Sequence, residues 1–140
     1  MSASRSAFLR FVFVVGTALA VVLVAAACGG SSNAKSSDGS SKTVKVSEKE
    51  WSITVAGTEL TKGNGDASVS TGTVTFEITN DGNVAHELEI SGNGIDQKTG
   101  TIDPGKSATL KVDLKPGKYE VWCPVPGHKD LGMDGHMTAS

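Results

Sequence analysis

The chain has 140 residues, with 13 lysines and arginines, 15 aspartates and glutamates, and a formal net charge of −2. This length leaves room for one globular domain and excludes a multidomain enzyme. Mild acidity without a stripe of basic residues argues against nucleic acid as a partner.

Residues 1–27 have the pattern of a secretory signal peptide. Arg5 and Arg10 precede the uncharged run FVFVVGTALAVVLVAAA, which matches the charged and apolar regions of such a signal. The run ends at AAAC, and this closing segment resembles the lipobox of bacterial lipoproteins. The resemblance implies that Cys28 is lipidated and holds the protein to the cell membrane, in a periplasmic or extracellular position. A transmembrane anchor over residues 11–27 is the alternative, at the short limit for spanning.

Residues 28–42 are predicted to form a flexible tether. The segment GGSSNAKSSDGSSK contains six serines, three glycines and no large apolar side chain, so it has nothing to bury in a core. As a random coil its ends would lie on the order of 20 Å apart, which lets an anchored domain reorient. The folded domain is expected over residues 43–140.

The remaining sequence consists of short runs of alternating polar and apolar residues: TVKVS, WSITV, TVTFEIT, HELEI, SATLKVDL and KYEVW. Apolar side chains at a period of two predict strands, and no stretch here has a helical period. Turn segments such as NDGN, DPG and KPG separate the runs. The pattern predicts an all-β fold, a Greek-key sandwich or small barrel. Residues 56–68, rich in Gly and Thr, are expected to form a long loop or a short helix.

The segment CPVPGHKDLGM, from Cys123 to Met133, places a thiol, an imidazole and a thioether in one short loop. Thiolate and thioether select copper, and two histidines, a cysteine and a weak axial methionine form the sites of electron-transfer copper proteins. The second histidine must be His86 or His136. His86 is favoured because the start of its strand and the loop after the last hairpin can meet at one end of a sandwich.

Other interpretations of these residues compete with copper. A zinc site would need Asp130 or Asp134 in place of Met133. A Cys–His nucleophile lacks a recognisable third group. If Cys28 carries lipid, Cys123 is the one thiol left in an oxidising compartment, where an exposed thiol is oxidised unless it is protected. A bound metal would protect it.

The segments NDGNVAHEL and DLKPGKYEVWCPVPGHKDLGMDGHM together resemble the cupredoxin family of blue-copper proteins. The resemblance covers residues 43–140 and implies a cupredoxin-like fold. It implies one copper ion per chain with four ligands: His86, Cys123, His128 and Met133. Glu87 stands where many members have an asparagine that ties two ligand loops together, which puts that contact in question. Met137 is the alternative axial ligand.

The function that this resemblance implies is the transfer of single electrons, with copper cycling between Cu(II) and Cu(I). The protein is then a monomeric, membrane-anchored carrier between redox partners rather than an enzyme. A copper-binding or copper-delivery lipoprotein without electron transfer is the alternative.

Two surfaces are candidates for the partners. One is the end of the domain at Pro126 and Leu131, next to His128, which is expected to be the ligand nearer the surface. The other is Trp122, which points away from the core side of its strand and either packs under a loop or offers a second route for electrons. Three further aromatic residues are expected in or at the edge of the core: Trp51, Phe76 and Tyr119.

Overall fold

The computed structural model describes residues 42–140, which form ten strands and one single-turn helix. The predicted signal peptide, Cys28 and all of the tether except Lys42 lie outside the described residues. In chain order the elements are β1 (Lys42–Lys49), β2 (Ser52–Val55), β3 (Thr58–Leu60), β4 (Asp66–Val69), β5 (Gly72–Asn80), β6 (Glu89–Gly92), β7 (Ile95–Lys98), β8 (Ser107–Leu114), β9 (Gly117–Trp122), α1 (His128–Leu131) and β10 (Asp134–Ala139).

The strands form two five-stranded sheets, in the orders β3-β2-β1-β5-β8 and β4-β10-β9-β6-β7. Each sheet is mixed, because β1 pairs with β5 and β10 pairs with β4 in parallel, while the other pairs are antiparallel. Apolar side chains from both sheets form a single buried cluster. The predicted all-β sandwich is confirmed.

The alternation seen in the sequence decides which side chains enter this core. On β5, Val74, Phe76 and Ile78 are fully buried, and the intervening residues are more exposed. Val74 lies opposite Val112 and Phe76 opposite Leu110 on β8. Because side chains of a strand point alternately to its two faces, the apolar set faces the second sheet and the polar set faces solvent.

Residues 56–68 do not form the expected loop or helix. β3 pairs with β2 through a two-residue turn in which Ala56 and Gly57 have φ of 49° and 84°, the left-handed values that such hairpins use. Asp66–Val69 then forms β4, which pairs with β10 and buries Ala67 and Val69. The prediction was wrong because these strands have only three or four residues, and their stability depends on partners that are distant in sequence.

The end of the sandwich that carries the candidate ligands also differs from the prediction in detail. β6 begins at Glu89, and His86 precedes it in an isolated bridge to Ile102. After β9 the chain forms the short helix α1. A helix of four residues is too short to show a helical period in the sequence. Within residues 42–140 no helix is both long and apolar enough to cross a membrane.

Candidate metal centre

Three separate segments bring the central side chains of the site together. His86 is held by two backbone hydrogen bonds with Ile102, of 3.1 and 2.8 Å. Cys123 follows directly after β9, whose inward-facing residues are Tyr119 and Val121. His128 begins α1, where Gly127 with φ of 83° allows the chain to turn. The site is therefore built on a bridged segment, a strand end and a helix start.

The distances between the donor atoms fit one metal ion. The Nδ1 atoms of His86 and His128 are 3.2 Å apart, and the Sγ atom of Cys123 is 3.9 and 3.5 Å from them. A metal about 2.0–2.3 Å from each of three donors, at angles of roughly 100–120°, would separate the donors by roughly 3.1–4 Å. Two imidazoles and one thiolate are donors that suit copper. The residues therefore fit a copper ion.

Burial sets the protonation of these groups. His86 and Cys123 are fully buried and His128 is 8% exposed. Burial lowers the pKa of both histidines, and the negative charge of Glu50 partly opposes this effect. Burial also raises the pKa of the Cys123 thiol. The imidazoles are thus held neutral, as metal ligation requires, whereas copper must displace the proton of the thiol.

A backbone hydrogen bond connects two of the ligand segments. The amide N–H of Glu87 donates to Cys123 Sγ at 3.4 Å. The Glu87 carboxylate instead accepts hydrogen bonds from Thr101 at 2.9 Å and Lys98 at 3.1 Å. The side chain of Glu87 thus binds the end of β7 and the segment that follows it, and the main chain makes the contact with the sulfur.

The two methionines considered as axial ligands occupy different places. Met133 is fully buried, and its carbonyl accepts a hydrogen bond of 3.0 Å from the amide of Cys123. Met137 lies opposite Tyr119 on β9. Tyr119 is four residues before Cys123, which is about 13 Å at the usual rise of a strand. His136, also on β10, is not among the clustered donors, whereas His86 is. Met133 as the axial ligand stays a prediction.

The predicted docking residues lie at the surface next to His128. Pro126 is exposed, and Leu131 is 47% exposed. Trp51 is expected on a strand, in or at the edge of the core, but it lies in the turn between β1 and β2 and is 37% exposed. Its ring meets the ring of His128 edge to face, with centroids 5.0 Å apart. Sequence spacing carries no signal for this contact, which depends on how the sheets pack.

Trp122 has a more crowded environment than its position on the strand suggests. It is half-buried, and the Nζ atom of Lys129 lies 4.4 Å from its ring centroid. Lys129 also forms an ion pair with Glu120. The ammonium group therefore covers the indole and neutralises the nearby acidic charge. Phe76 and Tyr119, in contrast, are core residues as expected.

Sequence and structure comparisons agree with this geometry. The sequence profile of the family described as "Cupredoxin-like domain" matches residues 18–139. The chain belongs to the cupredoxin family. Its fold resembles that of reduced auracyanin from Roseiflexus castenholzii, with 21% identity, coverage of 71% of this chain and 98% of that chain, and a TM-score of 0.56. Rusticyanin from Thiobacillus ferrooxidans is similar at 18% identity, coverage of 70% and 76%, and a TM-score of 0.55.

Auracyanin B has the same fold, with 17% identity, coverage of 71% and 88%, and a TM-score of 0.55. No curated protein sequence matches the chain significantly. The fold of this cupredoxin, together with its donor cluster, assigns one copper ion as the cofactor and places His86, Cys123 and His128 around it.

Proposed function

We propose that this cupredoxin is a mononuclear blue-copper electron carrier. Its partners are a protein that donates and a protein that accepts single electrons outside the cytoplasm. The observation that carries the proposal is the buried cluster of one thiol and two imidazoles, with donor atoms 3.2 to 3.9 Å apart. Bound copper would supply the one-electron couple Cu(II)/Cu(I), with Met133 as a further, weak ligand beside Cys123, His86 and His128.

The protein surrounding the site suits a carrier that changes little on reduction. Cys123 is fixed by its backbone bond to Met133 and by the N–H of Glu87. His86 is fixed by its bridge to Ile102. Ligands held by strand ends and backbone bonds move less than ligands on free loops. A site that keeps one geometry in both copper states exchanges electrons with little rearrangement.

The surface near His128 suits transient contact with a partner. Among the described residues the exposed large apolar side chains are Trp51, Val84 and Leu131. Trp51 contacts His128, Val84 comes two residues before His86, and Leu131 ends the helix that His128 begins. Exposed apolar residues gathered around one site are typical of an interaction surface. An electron would enter or leave through the edge of the His128 ring.

The position of the protein in the cell follows from its N-terminal segment. Cys28 carries lipid in this proposal, and the serine-rich tether lets the copper domain reach partners near the membrane. The domain acts as a monomer and catalyses no reaction of its own.

The visible spectrum of the copper-loaded protein tests the proposal. The parent is expected to be intensely blue as Cu(II) and to lose and regain the colour on reduction and reoxidation. Cys123→Ala should abolish the colour, whereas Cys28→Ser, which changes the other cysteine of the chain, should keep it. A colourless protein that holds only Cu(I) would contradict electron transfer and support copper delivery.

A further inference from the structure

The turn after β1 places a carboxylate next to the ligand His86. Glu50 Oε1 accepts hydrogen bonds from the backbone N–H groups of Asn83 and Val84, the latter at 2.9 Å. The same oxygen lies 3.9 Å from the Nε2 atom of His86, and the side chain of Glu50 is 18% exposed. Two main-chain donors therefore hold this carboxylate in place, on the side of the imidazole that faces away from the copper donors.

The Nε2 atom of His86 needs such a partner. Nδ1 faces His128 and Cys123, so the proton of the neutral ring belongs on Nε2 when Nδ1 binds metal. Nε2 is buried and has no hydrogen-bond partner within residues 42–140. The nearest anion is Glu50 Oε1, less than 1 Å beyond the usual limit of about 3.2 Å for such a bond. Metal-bound histidines generally donate their second N–H to a carboxylate, a carbonyl or water.

Gly82 is the residue that leaves space for the carboxylate. A Cβ atom at this position would lie 2.6 Å from Glu50 Oε1 and 2.8 Å from Oε2, closer than non-bonded atoms can approach. The backbone of Gly82 does not have a positive φ, so the absence of a side chain serves the contact with Glu50 rather than the turn itself. The loop between β5 and His86 is thus shaped to accommodate Glu50.

We propose that Glu50 is a positioning residue of the copper centre, which accepts the Nε2–H of His86 and orients the ring with Nδ1 toward copper. Its negative charge also favours Cu(II) over Cu(I) and lowers the reduction potential. The inference rests on the proposed copper function and adds a determinant of the potential. Because Glu50 and Trp51 are consecutive, one turn contacts both histidine ligands, Glu50 through charge and Trp51 through its ring.

Glu50→Gln tests the role of the charge, because glutamine keeps an oxygen acceptor for the two backbone donors. Competition with a chelator should show Cu(II) affinity reduced about tenfold or more, the range that such outer partners contribute. Cu(I) affinity should change less. The potential should therefore rise, by about 59 mV for each tenfold change in the ratio of the two affinities. Glu77→Gln removes an exposed carboxylate on the outer face of β5 and should keep the parent's potential.

Gly82→Ala tests the position of the carboxylate while keeping its charge in the chain. The added methyl group should displace Glu50 from His86 and raise the potential in the same direction. In the diamagnetic Cu(I) form, the Nε2–H proton of His86 should exchange faster with solvent than in the parent, as observed by NMR. If either Glu50→Gln or Gly82→Ala has the same reduction potential as the parent, the inference is overturned.

The outcome separates this inference from the proposed function. If the copper-loaded parent lacks the intense blue absorption, the proposed function fails and Glu50 has no such centre to position. If the parent is blue and cycles reversibly, but Glu50→Gln and Glu77→Gln share its potential and its Cu(II) affinity, the role of Glu50 alone is refuted.

Discussion

Glu48 is a carboxylic acid buried in the core, and its removal should change how stability depends on pH. It lies on the inward face of β1, fully buried, and neither carboxyl oxygen has a hydrogen-bond partner among the described residues. Burial, with a contribution from the charge of Glu87, raises the pKa of Glu48 from its ordinary value of 4.5 to about 8. The folded protein therefore keeps this group protonated at neutral pH.

The raised pKa of Glu48 fixes the sign of the effect. Between pH 4.5 and about 8 the folded chain holds a proton on Glu48 that the unfolded chain has released. The free energy of unfolding then falls as pH rises, by up to about 1.4 kcal/mol per pH unit. The stability conferred by the protonated carboxyl is complete below pH 4.5 and lost as pH rises through 8. The loss between pH 5 and pH 8 is roughly 3 to 4 kcal/mol.

Glu48→Gln should remove this dependence, because an amide of the same shape does not ionise. Urea unfolding of the metal-free protein at pH 5, 6, 7 and 8 measures the effect. The difference in free energy of unfolding, variant minus parent, should increase by roughly 3 to 4 kcal/mol between pH 5 and pH 8. Titration of His86 and His128 is common to both proteins, and the Cys123 thiol stays protonated over this interval because burial raises its pKa. Glu77→Gln should follow the parent, and parallel curves for the parent and Glu48→Gln would refute the reasoning.

Four further predictions concern the proposed carrier. Met133→Leu should keep the blue colour and raise the reduction potential, because an axial ligand tunes the site that a thiolate defines; an unchanged potential would argue against Met133 as a ligand. Leu131→Lys should slow electron exchange with a native partner at an unaltered spectrum, and equal rates in stopped-flow measurements would exclude that face. Trp122→Leu should lower the rate with one partner at unchanged potential, whereas normal transfer with lost stability would assign the indole to packing. Cys28→Ser should leave the protein soluble or uncleaved in cell fractionation, and a processed, membrane-held variant would contradict lipidation.

The sequence predicts the parts of the fold and site that depend on local pattern. β5 and β8 are recognisable because Val74, Phe76 and Val112 alternate with polar residues in long strands. Cys123 and His128 are recognisable because their spacing is short and their chemistry is specific. The choice of His86 over His136 follows from the order of the strands, and His86 is the histidine that lies beside Cys123 and His128.

Features that depend on tertiary packing could not be found in this way. β4 has only two buried apolar side chains and is stabilised by β10, which is some 70 residues away in sequence. The contacts of Glu50 with His86 and of Trp51 with His128 join segments whose proximity no local pattern encodes. Glu48 is different, because it continues the alternation of Val44 and Val46 onto the inward face of β1. The alternation on β1 therefore predicts that the carboxyl group of Glu48 is buried.

The position of β10 has a consequence for how the domain folds. β10 comes last among the described strands, yet it lies inside its sheet, between β4 and β9. The second sheet cannot be completed until this strand has left the ribosome. Parallel pairing with β4 also requires closure of a long loop, which slows folding of sheet proteins to milliseconds or longer. Because Cys123 and His128 lie in the segment between β9 and β10, the copper pocket is completed only when this late strand has paired with β9.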